Sequence, residues 1–436
     1  MTWIVQVMGE AVNSRGRLSR VARVPGPIRS ASWRRTATVL GALLTAAGIL
    51  GLATWVGCSI YNPSLLLPGA AESGPDVFVE GGTRDADAAT PEAGPSACPE
   101  LYPPAAPAAD DPSDASDQTF VIALHTLDLG LDFEGGSPPP IGYDLDSIYT
   151  CCDGGAESCK AASVGATHCD EVSGRDNSGE LLLSSLASID STEFNDTTIT
   201  ARLQDGFYSI LIQVLHYNGT PNDTQVTAAI YASDGIQPVG DSGVPPPAKW
   251  DGTDLWTLDN AFVVSPDASP PLPNHFDGNA YVSGGTLVMH VNFPLSLGTN
   301  GTGSLSIDLT SGVLTGTVVP EGGAYHLQNG VIAGRWNVSD LLGALQSLDL
   351  TFGGSSQALC RGTSTYSFIK QQICTHADIM TDPTADKTGA TCDALSVGFA
   401  FTADPALMGD VVSPGVKTSV CGDGGDFDAA DNCATP

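Results

Sequence analysis

The chain has 436 residues with 50 glycines, 30 prolines and only 15% charged residues, a balance that favours loops and strands over long helices. Its formal net charge of −32 hides an asymmetry: residues 1–35 carry seven arginines and one glutamate, and beyond residue 57 there are 10 basic against 48 acidic residues. Such an acidic body repels phosphate backbones, which proteins hold with lysine and arginine, and so weighs against nucleic acid as a partner; calcium or basic partners fit better, beside the plain alternative of an acidic surface that keeps the chain soluble.

From Thr36 to Gly57 the sequence TATVLGALLTAAGILGLATWVG carries no charge and follows Arg34-Arg35. At about 1.5 Å per residue it can cross about 30 Å of hydrocarbon, and the arginines ahead of it predict a cytoplasmic amino end with everything after it exported. It ends in Trp55-Val56-Gly57-Cys58. Val56, Gly57 and Cys58 resemble a bacterial lipobox, with Trp55 standing where leucine is usual. The resemblance implies diacylglycerol on the Cys58 thiol and Cys58 as the mature amino terminus, and two or three acyl chains anchor stably where one is marginal. An uncleaved helix and an ordinary signal peptide are the other readings of the same segment. On each of them residues 1–57 stand apart from the fold.

Residues 58–117 read as a disordered Asp/Ala/Pro-rich tether, since positions 59–117 hold ten prolines and eleven Asp or Glu against one basic residue, Arg84. Such sequence buries too little apolar area to offset chain entropy, and its own charge extends it. Of eleven cysteines, ten remain once Cys58 is set aside, an even number that suits five disulfides in an exported protein. They are Cys98 in the tether, the cluster Cys151, Cys152, Cys159 and Cys169, then Cys360, Cys374 and Cys392, and finally Cys421 and Cys433. Spacing does not determine connectivity; the expectation is a Cys421–Cys433 pair and a first cluster closed largely on itself. Zinc is disfavoured, because the adjacent Cys151-Cys152 matches no paired C-x₂₋₄-C element.

Residues 118–410 read as one cysteine-rich β domain, followed by an Asp-rich loop over 411–436. Strands are expected in TFVIALHTLDL, TTITARL, FYSILIQVLHY, QVTAAIYAS, DLWTLDNAFVV, GTLVMHVNFPLSL and LSVGFAF, where apolar residues alternate with polar ones. SLSIDLTSGVLTGTVV is expected to turn at Ser311-Gly312, and AYHLQNGVIAGRW to form a hairpin at Asn329-Gly330, a pair suited to a type I′ turn. Two helices are expected near the carboxyl end: VSDLLGALQSL, capped by Asn337 or Ser339, and YSFIKQQICTHADIM. The fold class predicted is mainly β, an antiparallel β-sandwich or jelly roll with two short helices, stapled by disulfides.

No G-x-S-x-G, H-E-x-x-H or P-loop pattern occurs, which weakens the corresponding hydrolase, metallopeptidase and NTPase classes. DGNAYVSGGTLVMHV resembles an early strand pair of concanavalin-like glucanases and lectins, but the Glu-x-Asp-x-x-Glu strand that implies catalysis is missing, which leaves only a binding module. In KWDGTDLWTLD, Trp250 and Trp256 flank Asp251 and Asp254, a pattern able to stack on a sugar ring and accept its hydroxyls, or else to make a core and a turn. Trp336 reads as core and Arg335 as solvent-facing. Calcium has two candidate stretches. One is Asp423, Asp426, Asp428 and Asp431 in the final loop; the other is Asp144, Asp146, Asp176 and Asn177 in GYDLDSIY and GRDNSGE, and ordinary acidic loops are the alternative for both.

The lipobox-like Cys58, the Asp/Ala/Pro tether, CDGG and GRDNSG beside the dense cysteines, and NGVIAGRW before a short helix together resemble uncharacterised exported lipoproteins of myxobacteria and related bacteria. That resemblance implies a bacterial envelope location, an outer-membrane lipoprotein in particular, and no established activity. The function expected is that of a surface-tethered, non-enzymatic β domain that binds a ligand or is associated with the envelope, with a glycan or envelope component as candidate partner and no cofactor except calcium. The alternative is an exported hydrolase whose site leaves no sequence motif.

Overall fold

The protein is described here by a computed structural model covering residues 98–113, 116–131, 140–152, 157–162, 168–238, 245–260, 277–298, 304–352, 355–413, 420–421 and 431–434. Cys58, Asp423, Asp426 and Asp428 lie outside the described residues. Along the chain run β1 (Gln118–Asp128), α1 (Gly179–Ile189), α2 (Asp196–Gln204), β2 (Ser209–Tyr217), β3 (Thr227–Ser233), β4 (Leu255–Asp259), β5 (Asp277–Ser283) and β6 (Thr286–Gly298). Then follow β7 (Ser304–Glu321), β8 (Ala324–Asn337), α3 (Val338–Ala344), β9 (Asp349–Phe352), β10 (Ser355–Ala358), α4 (Ser364–His376), β11 (Ala394–Pro405) and β12 (Leu407–Val412).

Alternation with period two puts one face of every long strand into a common interior. Ile122 and Leu124 of β1, Leu287 and Met289 of β6, Ile307 of β7, Trp336 of β8 and Phe399 of β11 are buried in one apolar cluster. Eight strands share it because the sheet closes on itself in the order β1-β2-β3-β5-β6-β7-β8-β11, each antiparallel to the next and β11 returning to β1. The antiparallel, mainly β expectation holds; the two separate sheets of a sandwich or jelly roll do not form, because closure removes the sheet edges that a sandwich leaves open. Outside, His290, Asn292 and Ser296 of β6 and Asp308 of β7 are exposed. Apolar-in and polar-out is the reverse of the alternation in a lipid-facing barrel.

Helices α1 and α2 join β1 to β2, while α3 and α4 fall between β8 and β11, so all four meet the barrel at the same end. Their buried residues, Leu182 and Leu186, Ile199 and Leu203, Leu342, and Ile369, continue the barrel interior and plug it there. At the other end Phe120, Tyr217 and Tyr325 close the mouth, with Phe120 and Tyr325 ring centroids 4.6 Å apart. The parallel pair β4–β12 lies against the outer wall and makes a second apolar layer with Ala123, Leu211, Ile236 and Trp256.

Several local expectations are corrected by the fold. TTITARL forms α2 rather than a strand, because Asn195 accepts the Thr198 amide as an N-cap and Ile199 and Leu203 bury one helical face. GELLLSSLASI, for which no element was expected, forms α1 on Leu182, Leu183 and Leu186, and only its first two residues overlap the acidic stretch GRDNSGE. Ser311-Gly312 and Asn329-Gly330 are not turns: each is an irregularity inside a continuous strand, with Ser311 at φ 46° and Asn329 at φ 51°. The β7–β8 hairpin turns instead at Gly322-Gly323, whose φ values of 61° and 87° match a type I′ turn. Both expected carboxyl-terminal helices are present, capped by Asn337 and Thr363.

The cysteines also pair differently from expectation. Cys421 joins Cys360 and Cys433 joins Cys374, so there is no Cys421–Cys433 bond. Only Cys151–Cys169 stays within the first cluster; Cys152 reaches Cys98 and Cys159 reaches Cys392, 233 residues away in sequence. The end of the expected tether belongs to the folded body. Besides the Cys98 bond, the Leu101 amide donates to Ser173 O, the Asp144 amide donates to Leu101 O, and Asp110 and Asp111 accept from Thr224 and Asn222.

Candidate functional site

The long β1–β2 connection builds a lobe against the outer face of β6, β7, β8 and β11. Tyr143 packs there on Val288, Val313 and Ala333, and its hydroxyl shares a hydrogen bond of 2.8 Å with Thr315 Oγ1. Asn177 Oδ1 accepts the Gly398 amide at 2.8 Å, and the Cys159–Cys392 disulfide fastens the lobe to the segment before β11. Arg335, expected in solvent, is 1% exposed. Its guanidinium grips Asp386, in the segment before β11, in bidentate fashion at 3.0 and 2.7 Å and donates to Met380 O and to Leu145 O of the lobe, while Ser158 Oγ of the lobe donates to Asp386, so a buried ion pair on the outer wall ties that segment to β8 and meets the lobe through hydrogen bonds.

Within this lobe the structure gathers Asp144, Asp146 and Asp176, which the sequence placed on two separate stretches. Each offers a carboxylate oxygen within 4.8 Å of the other two. One oxygen of each is tied to a backbone amide of the same short loop: Leu145 N donates to Asp176 Oδ2 at 2.7 Å, Ser147 N to Asp144 Oδ1 at 2.6 Å and Ile148 N to Asp146 Oδ1 at 2.8 Å. Asp144 is 4% exposed and its Oδ2 accepts no hydrogen bond. The Tyr102 hydroxyl donates to Glu100 and lies close enough to the Asp144 carboxylate to hold its pKa down against burial. Asn177, the fourth residue of that expectation, turns its carbonyl to β11.

Two further carboxylates, Asp170 and Asp378, add their charge to the trio. Burial, reinforced by neighbouring carboxylates, pushes Asp146 up to about 6 and Asp170 up to about 7, and holds Asp176 well above the ordinary carboxylate range. Burial also raises Asp144 and Asp378. Arg335 and Lys387 both reach the loop, but through its carbonyls, Leu145 O and Ser147 O. The donor set is therefore made of hard oxygens, which favour calcium or magnesium over zinc or copper. A cavity of about 10 Å³, room for about one water molecule, lies alongside, lined by Thr150, Glu157, Ser158, His168 and Asp378.

Serine, histidine and aspartate do come together here, though in a structural arrangement. Ser178 Oγ and Ser396 Oγ donate to Asp378 at 2.7 and 2.6 Å, whereas a nucleophilic serine donates to a histidine base. His168 contacts Thr375 O, and its ring lies 5.4 Å from that of His376. Sequence reading missed Asp170 and Asp378; the only local signal was the adjacency of Asp170 to Cys169.

Of the sugar-binding candidates, Trp256 and Asp254 are buried, Trp250 is half-buried and Asp251 is exposed. Trp256 is fully buried, and Asp254 Oδ2 accepts the amides of Lys249 and Trp250, both at 2.8 Å. Asp251 shapes the same turn by accepting Thr253 N and Oγ1. Trp250 donates through Nε1 to Gln204 O and stacks on His125 at 4.3 Å. Of the final loop, Asp431 pairs with Lys370 at 2.6 Å and contacts the Tyr366 hydroxyl, which clamps it to α4. No protein-family model, curated protein or solved structure matches this chain.

Proposed function

We propose that the chain is an exported bacterial lipoprotein, held at the outer membrane through Cys58, whose disulfide-stapled barrel serves as a non-enzymatic ligand-binding or envelope-associated module. The pairing of the cysteines carries this reading: all ten beyond Cys58 bond to one another, which accounts for every cysteine except the one in the lipobox-like sequence. Five disulfides suit an oxidising, extracytoplasmic compartment. The Cys98–Cys152 bond supports the tethering part, because it fastens the chain where it enters the folded body, so a pull on the tether falls on a covalent link rather than on β1. The acidic lobe and the outer wall face a glycan or other envelope partner in this reading. The likeness to exported lipoproteins of myxobacteria belongs to the same proposal.

The test is mass spectrometry of the mature amino terminus in a bacterial host, with Cys58→Ser alongside. The expected product begins at Cys58, carries diacylglycerol, and moves from the membrane to the soluble fraction in the variant. A mature chain with an intact Gly57–Cys58 bond, or one beginning at Ser59 without lipid, would overturn the proposal.

A further inference from the structure

The geometry points to a calcium site formed by Asp144, Asp146 and Asp176 on the barrel's outer lobe, a binding function that stands whether or not Cys58 carries lipid. Two observations converge on it. The first is the trio itself, with an oxygen of each carboxylate within 4.8 Å of the others. The second, independent of the clustering, is Asp144 Oδ2, an acceptor on a side chain only 4% exposed that receives no hydrogen bond. A buried carboxylate oxygen without a donor is costly, and a cation removes that cost together with the repulsion between the three charges.

The chemistry of the donors selects the ion. The loop amides hold one oxygen of each carboxylate and orient the group, and the second oxygen of Asp144 is left without a donor. Leu145 O and Ser147 O already accept from Arg335 and Lys387, so carboxylates and water supply the shell. Calcium accepts an irregular shell of six to eight oxygens, whereas magnesium demands a near-ideal octahedron and sheds its water reluctantly.

The experiment uses the full chain in detergent, freed of metal with a chelator. Calcium titration by calorimetry, terbium luminescence excited through tyrosine, and thermal unfolding are followed in parallel. One calcium is expected to bind with a Kd on the order of 0.1–1 mM, the range of extracellular modules, and to raise Tm. Asp144→Asn and Asp176→Asn, which keep side-chain size, are expected to weaken binding about tenfold or more while their chelator-treated forms unfold no earlier than the wild type. An Asp423→Asn, Asp426→Asn, Asp428→Asn variant is expected to bind as the wild type does. Three results would overturn the assignment: no response of the wild-type chain to calcium well above that range, a loss confined to the final-loop variant, or an equal response to magnesium.

Discussion

The ion pair between Arg335 and Asp386 tests how the segment before β11, against which the lobe packs, is held to the outer wall. Their side chains are 1% and 5% exposed, and the Asp386 carboxylate accepts from both guanidinium nitrogens, from the Met380 amide at 3.2 Å and from Ser158 Oγ at 3.1 Å. Asp386→Ala leaves the guanidinium buried with only the carbonyls of Leu145 and Met380 and orphans the other two donors. Breaking a buried pair from one side costs about 3–5 kcal/mol, against about 0–1 kcal/mol for an exposed pair. At about 2 °C per kcal/mol for a domain of this size, Tm falls by about 6–10 °C. Urea unfolding with the disulfides intact measures the free energy directly, and the Arg335→Met, Asp386→Leu double variant is expected to recover part of the loss, since no unpaired charge remains. A cost for Asp386→Ala within about 1 kcal/mol, the exposed-pair range, would refute the argument that this bond fastens the segment before β11 to β8.

Two further predictions follow from close packing and from a buried acid. A Cβ on Gly330 would sit 2.5 Å from the Phe401 ring, so Gly330→Ala is expected to cost about 1–3 kcal/mol by overpacking; a neutral result in urea unfolding would show that the ring moves aside freely. Glu180 is pushed up to about 7, chiefly by burial and then by Glu171, Asp128 and Asp196. Because its folded pKa lies above the unfolded value, its contribution is present in full below about pH 4 and is lost as pH rises through about 7. Glu180→Gln should therefore be more stable than the wild type at pH 8, with the gap closing towards pH 4; thermal unfolding in chelator across that range reads it, and parallel curves would contradict the sign.

Much of the barrel was legible locally. In TLVMHVNFPLSL the alternation of Leu287, Met289, Val291 and Phe293 is a property of neighbours in sequence, and these side chains point inward as expected. Helix α4 was legible for the same reason, through Tyr366, Ile369 and Ile373 on one face. Propensity failed where a cap outweighed it: the β-branched run Thr197-Thr198-Ile199-Thr200 reads as strand until Asn195 is seen to hold the Thr198 amide. It failed again at Asn329-Gly330, where pairing with β11 across Phe401 keeps the strand running through a favourable turn pair.

By itself the sequence determined most of the long barrel strands, the carboxyl-terminal helices, the acidic and cysteine-rich character of the body and the presence of Asp144, Asp146 and Asp176 near the first cysteines. All of these depend on residue type or on spacing within a few positions. Tertiary structure alone decided that the sheet closes, that Cys159 meets Cys392, that Arg335 is buried on Asp386, and that Asp170 and Asp378 join the acidic trio. Those outcomes depend on distances between residues far apart in the chain. They are set by the shape of the closed barrel and by what its outer wall can bury, and no local pattern carries that information.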